Sequence, residues 1–272
     1  MRPPAGMAID FSAPKGAPAL APTDGVSWRV FANPVTLFIG GVSAVLLELA
    51  EPSVRTGVWE HSSFRRDPFA RLHRTGYAAM VTVYAPREAA RAMIARVVRM
   101  HGRVQGTTPE GVVYHANDPR LLNWVQATAI FGFTQAYDQY VQHLSAREKD
   151  AAFQEGQASG LLYGATDLPQ SWGQWESLLD NTAHALVGHP ILQEFVDIMV
   201  HAIILPRPMR WIQKLLVKAA VGMTPEPVRS LAQLQAWQPN AWELRCTRWL
   251  ARIAEHVPLP HLPPAQARKR MR

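Results

Sequence analysis

Arg71, Arg74 and Thr75 stand at spacings of three and four, so a helix through them carries two guanidinium groups and a hydroxyl on one face. A second helical run ends at Met100-His101, and the two runs are joined by a break at Ala85-Pro86. Folded back on itself, that hairpin brings His101 near the level of Arg71, because each helical residue advances roughly 1.5 Å. An imidazole beside fixed cations can bind a metal or take part in catalysis, and a guanidinium can orient an anion through its N–H fork. Glu60 and His61 just upstream form a carboxylate–imidazole pair of the type that can move protons. Spacing alone leaves a plainer reading open. A histidine in the last turn of a helix also serves as a partner of the helix dipole, and Arg99 and Arg103 sit there as well.

The elements that must position these residues are marked by their starts. Asp67 can cap a helix whose first residue is Pro68, and Pro86 opens the second, since proline there gives up only an N–H that has no intrahelical partner. The same cap-and-proline start recurs at Asp118-Pro119, Ser145 and Glu148 have the spacing of a capping box, and another start is expected near Leu168-Pro169. Proline-opened helical segments continue to residue 256. An apolar run from Val35 to Leu49 is broken by Glu48 and reads as a buried helix; Gly40-Gly41 within it suits close approach of a backbone or of a ligand. Residues 51–66 read as a polar segment, and 103–119 as a glycine-bearing connection with a short extended piece at 112–114. No strand alternation of useful length occurs. The expectation is an all-α chain: a single globular helical domain of about ten helices at 28–256, a loose leader at 1–27 and a short basic tail at 257–272.

The chain has 272 residues, 48% of them hydrophobic, which is enough for a substantial core. Its formal charge is +7, and Arg268, Lys269, Arg270 and Arg272 supply four of those charges, so the basic balance is largely a tail effect. Such a tail is a candidate for contact with an anionic membrane surface; no zinc-finger or RNA-binding signature accompanies it, and no nucleic-acid partner is expected. The single cysteine, Cys246, excludes an internal disulfide and a cysteine-held metal cluster. The N-terminal stretch lacks the apolar core of a signal peptide, so a cytoplasmic setting, with peripheral membrane contact through the tail, is expected. Phosphate-cradling glycine loops, nucleophile elbows and dinucleotide fingerprints are missing, which removes the ordinary nucleotide enzymes and α/β hydrolases. Glu48, Glu51 and Glu60 are too scattered for a di-iron helical bundle.

The run from Glu51 to Gly106, EPSVRTGVWEHSSFRRDPFARLHRTGYAAMVTVYAPREAARAMIARVVRMHGRVQG, followed by YHANDPRLLNWVQAT, resembles the rubber oxygenase (latex-clearing protein) and mpaB-type oxygenase family. The resemblance implies a helical bundle whose rubber-cleaving members bind haem b and split isoprenoid double bonds with dioxygen. By position, it makes His101 the proximal ligand of the haem iron and places Arg71 and Thr75 beside the haem. It puts Arg74 where the rubber enzymes carry a lysine on the distal side. A guanidinium stays protonated and cannot coordinate iron, so Arg74 is restricted to donating hydrogen bonds. Gln126 stands where many relatives have histidine. Glu60 lies near the family's catalytic carboxylate, with His61 beside it as a further proton-transfer candidate.

The function so implied is a haem-dependent oxygenase using dioxygen on a hydrophobic, isoprenoid- or polyketide-like small molecule. Its alternative is a non-catalytic protein of the same fold that binds an apolar ligand or partner. Directly packed helices lie about 8–10 Å apart, so a macrocycle between Arg71 and His101 requires the hairpin to splay at that level.

Overall fold

Five of the described α-helices begin where a capping side chain meets a proline. In the computed structural model, which describes residues 8–272, thirteen α-helices, two short 3-10 turns at Arg207–Met209 and Gln235–Trp237 and a two-stranded hairpin make up the regular structure among the described residues. After a short α1 (Val26–Val30), Asn33 caps α2 (Pro34–Ala50) by accepting from the N–H groups of Val35 and Thr36. Glu51 caps α3 (Pro52–His61), and Asp67 caps α4 (Pro68–Tyr84) through Ala70 N–H. The break at Ala85-Pro86 then opens α5 (Arg87–His101). Each proline supplies a φ already suited to the first turn, while the cap satisfies an N–H that has no partner within the helix.

The chain next forms β1 (Gln105–Thr107) and β2 (Val113–His115), antiparallel with Gly106 opposite Tyr114. Asp118 caps α6 (Pro119–Tyr140), and the Ser145–Glu148 capping box starts α7 (Ala146–Tyr163). The remaining helices are α8 (Trp172–Ala183), α9 (Pro190–His201), α10 (Arg210–Met223), α11 (Glu226–Leu231), α12 (Ala241–His256) and α13 (Pro263–Met271). The start expected at Leu168-Pro169 falls instead at Ser171, whose hydroxyl accepts from Gln174 N–H.

The core is assembled around α2 and α6, which run antiparallel in direct backbone contact. A Cβ on Gly40 would come within 2.6 Å of the Gly132 carbonyl oxygen, and one on Gly132 within 2.5 Å of the Gly40 oxygen. Of the two readings open for the glycine pair, close approach of a backbone holds at Gly40; Gly41 meets only the ring of Phe133. Trp124 donates its indole N–H to the Leu47 carbonyl at 3.2 Å, fixing the register of the pair. Ile39, Leu46 and Leu47 are fully buried here, and each contributes roughly 2 kcal/mol by leaving water. Trp124, Trp175 and Phe131 stack beside them with ring centroids 4.8–5.8 Å apart.

Three segments depart from the expectations set by composition. Residues 52–61, expected as a polar connection, form α3, with Val54 and Arg55 buried among the core helices. The described part of the expected loose leader packs on the α4–α5 hairpin: Phe11 is buried, Ile9 N–H donates to the Tyr77 hydroxyl, and Arg87 N–H donates to the Pro18 carbonyl. Residues 1–7 of that leader lie outside the described residues. The basic tail ends in α13, whose Arg270 is buried and donates to the carbonyls of Phe11 and Ala17 at 2.7 and 2.9 Å. A cation whose N–H groups meet main-chain oxygens can be buried in a way that a free tail cannot. No single described helix is long and apolar enough to cross a membrane; α2 and α3 have the length together but meet at 109°.

Candidate active site

His101 is the last residue of α5, and the chain beyond it is tied back to hold the ring in place. Val98 carbonyl accepts from Gly102 N–H and from the Asn117 side chain, while His101 carbonyl accepts from Val104 N–H. The Ala116 N–H donates to the Val104 carbonyl, anchoring the hairpin that carries Tyr114. The ring is half-buried, and its Nδ1 is fully buried without a protein hydrogen-bond partner. Burial, reinforced by the positive charge of Arg71, pushes the imidazole's pKa below its ordinary value. It is therefore neutral at neutral pH, the form that can bind a metal. A histidine acting only as a helix-dipole partner would be charged and turned to water, which is not the situation here.

Arg71 sits on α4 facing the interior and donates to the Thr75 hydroxyl at 2.5 Å. Its closest electrostatic partner is Glu48, near the C-terminal end of α2. Burial pushes the Glu48 carboxyl up to about 7 against the opposing attraction of Arg71. Glu48 also makes a side-chain hydrogen bond with Thr128 of α6. That bond favours the ionised carboxylate and partly offsets the effect of burial; the Thr128 hydroxyl also lies 2.9 Å from the Val125 carbonyl. Glu48 and Arg71 are largely enclosed by protein. The three groups act on one another in the order carboxyl, guanidinium, imidazole: Glu48, Arg71, His101.

Of the residues singled out from the sequence, Arg71 and His101 come together, and Thr75, exposed on α4, accepts from Arg71. Arg74 is exposed on α4, close enough to act electrostatically on Arg71, and donates to the Ser63 hydroxyl at 2.6 Å. Glu60 and His61 are both exposed at the end of α3, with Glu60 acting on Tyr114. Gln126 is half-buried on α6. Glu48 was readable as a charge interrupting an apolar run and as one of three carboxylates too scattered for a di-iron bundle. That interruption was the available signal, because an ionisable side chain in a buried helix must find a partner or give up its charge. Among the described residues no three His, Cys, Asp or Glu side chains stand close enough to hold a metal ion between them.

Two curated mycobacterial proteins are similar to this chain: an uncharacterized protein of Mycobacterium bovis and an uncharacterized protein of Mycobacterium tuberculosis. Each is 31% identical over 137 residues, covering 48% of this chain and 51% of the relative. The chain thus spans about half the length of the curated relatives it matches. No solved structure matches it. The family model described as ER-bound oxygenase mpaB/B′/rubber oxygenase, catalytic domain, matches residues 28–256, which include Glu48, Arg71, His101 and Thr128, and the chain belongs to that family.

Proposed function

We propose that the chain is a haem-dependent oxygenase acting with dioxygen on a hydrophobic small molecule, with His101 as the proximal ligand of haem b. The observation that carries this reading is the His101 ring: half-buried, neutral, and with a buried Nδ1 that no protein group satisfies. A buried polar nitrogen normally has a partner, and a group bound beside the ring would supply one. The donor set favours a group that brings its own ligands, since the protein contributes one imidazole at this point. Arg71 provides a cation for an anionic edge such as a carboxylate. Haem, when bound, supplies redox-active iron for the reaction of dioxygen with an apolar molecule.

The chain's own residues have separable tasks. The ties among Val98, Gly102, Val104 and Asn117 fix the direction of the His101 ring. Arg71, bonded to Thr75, is held in one orientation and keeps positive charge beside His101. Glu48, titrating at about 7, can hold a proton or release one near neutral pH, the property required of a group that transfers protons. Half-buried Val58, Trp59, Leu72 and Val125, packed on the main core, supply apolar surface from α3, α4 and α6. The exposed positions of Glu60, His61 and Arg74 make them rim residues in this reading.

Purified protein supplemented with haem is expected to show a Soret absorption band, lost in His101→Ala at unchanged melting temperature. Parent protein that takes up no haem, or a variant that keeps the parent spectrum, refutes the assignment.

A further inference from the structure

The outer surface of α12 carries an unpartnered aromatic stripe bordered by cations. At 100° per residue, Trp242, Trp249 and Ile253 fall within about 40° of one another. Both tryptophans are 63% exposed, and Val257 prolongs the line. Arg245, Arg252 and His256 follow along one flank, and with Trp249, Ile253 and Val257 they border a shallow open groove. Arg252 is anchored by its Nε to the Val141 carbonyl at 3.3 Å, which keeps its guanidinium at this surface.

The face continues onto α10. Lys218 grips both oxygens of Glu243 in the first turn of α12, at 2.5 and 2.6 Å, and Lys214 acts on the same carboxylate. Trp211 lies on the same side of α10 as Lys214 and Lys218, at spacings of three and seven, and is 56% exposed. Residues 203–257 hold eight arginines and lysines against three glutamates. Those three are each engaged: Glu226 by Arg229 and Ser230, Glu243 by Lys218, and Glu255 by Asn33 and Tyr137. The remaining charge at the surface is positive.

We propose that the α10–α12 face is a peripheral docking surface for an anionic phospholipid bilayer, with Trp211, Trp242 and Trp249 entering the headgroup region and Arg245 and Arg252 meeting lipid phosphates. Charge complementarity selects this occupant. Indole rings settle where apolar and polar surroundings meet, and arginine can lay its stem on apolar surface while its head reaches phosphate. A second copy docked face to face would bring two positive surfaces together. The helices lie on the bilayer rather than cross it, because no single described helix has the length and apolarity to span. This surface is separate from the basic residues of α13, where Arg270 is buried beneath the N-terminal segment.

Co-sedimentation of the full chain with phosphatidylcholine vesicles and with vesicles containing phosphatidylglycerol tests the proposal. Binding is expected to the second set, to weaken with added salt, and to shift tryptophan emission to the blue. Arg245→Gln combined with Arg252→Gln should weaken partition about thirtyfold, at about 1 kcal/mol per cation. Trp242→Ser combined with Trp249→Ser should weaken binding and reduce the emission shift to the part contributed by Trp211; these side chains stand outside the core, and unchanged melting temperatures verify both variants. Arg268→Gln with Lys269→Gln should bind as the parent does. The proposal is overturned if the parent ignores phosphatidylglycerol vesicles, if both α12 variants bind like the parent, or if only the α13 variant loses binding. Concentration-dependent dimerisation lost in the tryptophan variant, without vesicle binding, would assign the face to a second copy instead.

Discussion

Replacing Glu48 by glutamine tests whether this carboxyl is forced to share its proton with the neutral range. In the folded chain it titrates at about 7, and in the unfolded chain near 4.5. Its folded-state value is raised, so its contribution to stability is fully present below about pH 4.5 and is lost as pH climbs through about 7. Across that window the native state holds a proton that the unfolded state has released, and the stability of the parent falls with rising pH. A gap of about 2.5 at 1.36 kcal/mol per pH unit corresponds to roughly 3 kcal/mol. Residual solvent contact of the side chain makes this an upper figure. Urea unfolding of parent and Glu48→Gln between pH 4.5 and 8 measures it. Other titrating groups are common to both proteins, so the difference between the two stability curves isolates Glu48. That difference should move by about 2–3 kcal/mol in favour of the variant as pH rises. A difference that stays flat, or moves the other way, refutes the raised carboxyl and with it the proton-holding role.

Gly40→Ala should cost at least about 2 kcal/mol in urea unfolding, since its methyl group would strike the Gly132 carbonyl and force the two central helices apart. Gly41→Ala, whose methyl would meet only the Phe133 ring at 3.7 Å, should be neutral or stabilising by up to about 1 kcal/mol. Arg270→Ala removes two charged donors from buried carbonyls and should lower stability by about 3 kcal/mol, with limited proteolysis now cutting near residues 8–20. In haem-supplemented protein, Arg74→Lys should leave the absorption spectrum unchanged, because the side chain at 74 bonds Ser63 at the surface; a six-coordinate, lysine-bound ferric spectrum would refute that placement.

Much of the architecture was legible from local chemistry. Caps at Asp67, Asp118 and Ser145 are decided by residues one to four positions away, so their helices begin where the pattern predicts. The α4–α5 hairpin was readable for the same reason: Ala85-Pro86 breaks the helix, and helical rise alone sets His101 against Arg71. The family resemblance on residues 51–106 drew attention to His101, where spacing left a dipole partner equally open. The short strand at 113–115 was visible as an extended piece, but its pairing with 105–107 was not, because register depends on the partner.

What tertiary structure decided lies between elements far apart in sequence. Glu48 meets Arg71 and Thr128 only because Gly40 and Gly132 let α2 and α6 touch, and neither glycine shows its counterpart in the sequence. The exposed placement of Glu60, His61 and Arg74, and the docking of residues 8–20 against Arg270, follow from packing that no periodicity encodes. The sequence by itself determined where the capped helices start and that Arg71 and His101 share a level, because capping and helical rise are local; it did not reveal α3 or α13. Their assembly into one cluster, with an imidazole shifted toward its neutral form at one end and a carboxyl raised to about 7 at the other, was decided by the fold. Burial sets those protonation states, and burial is a property of the whole chain.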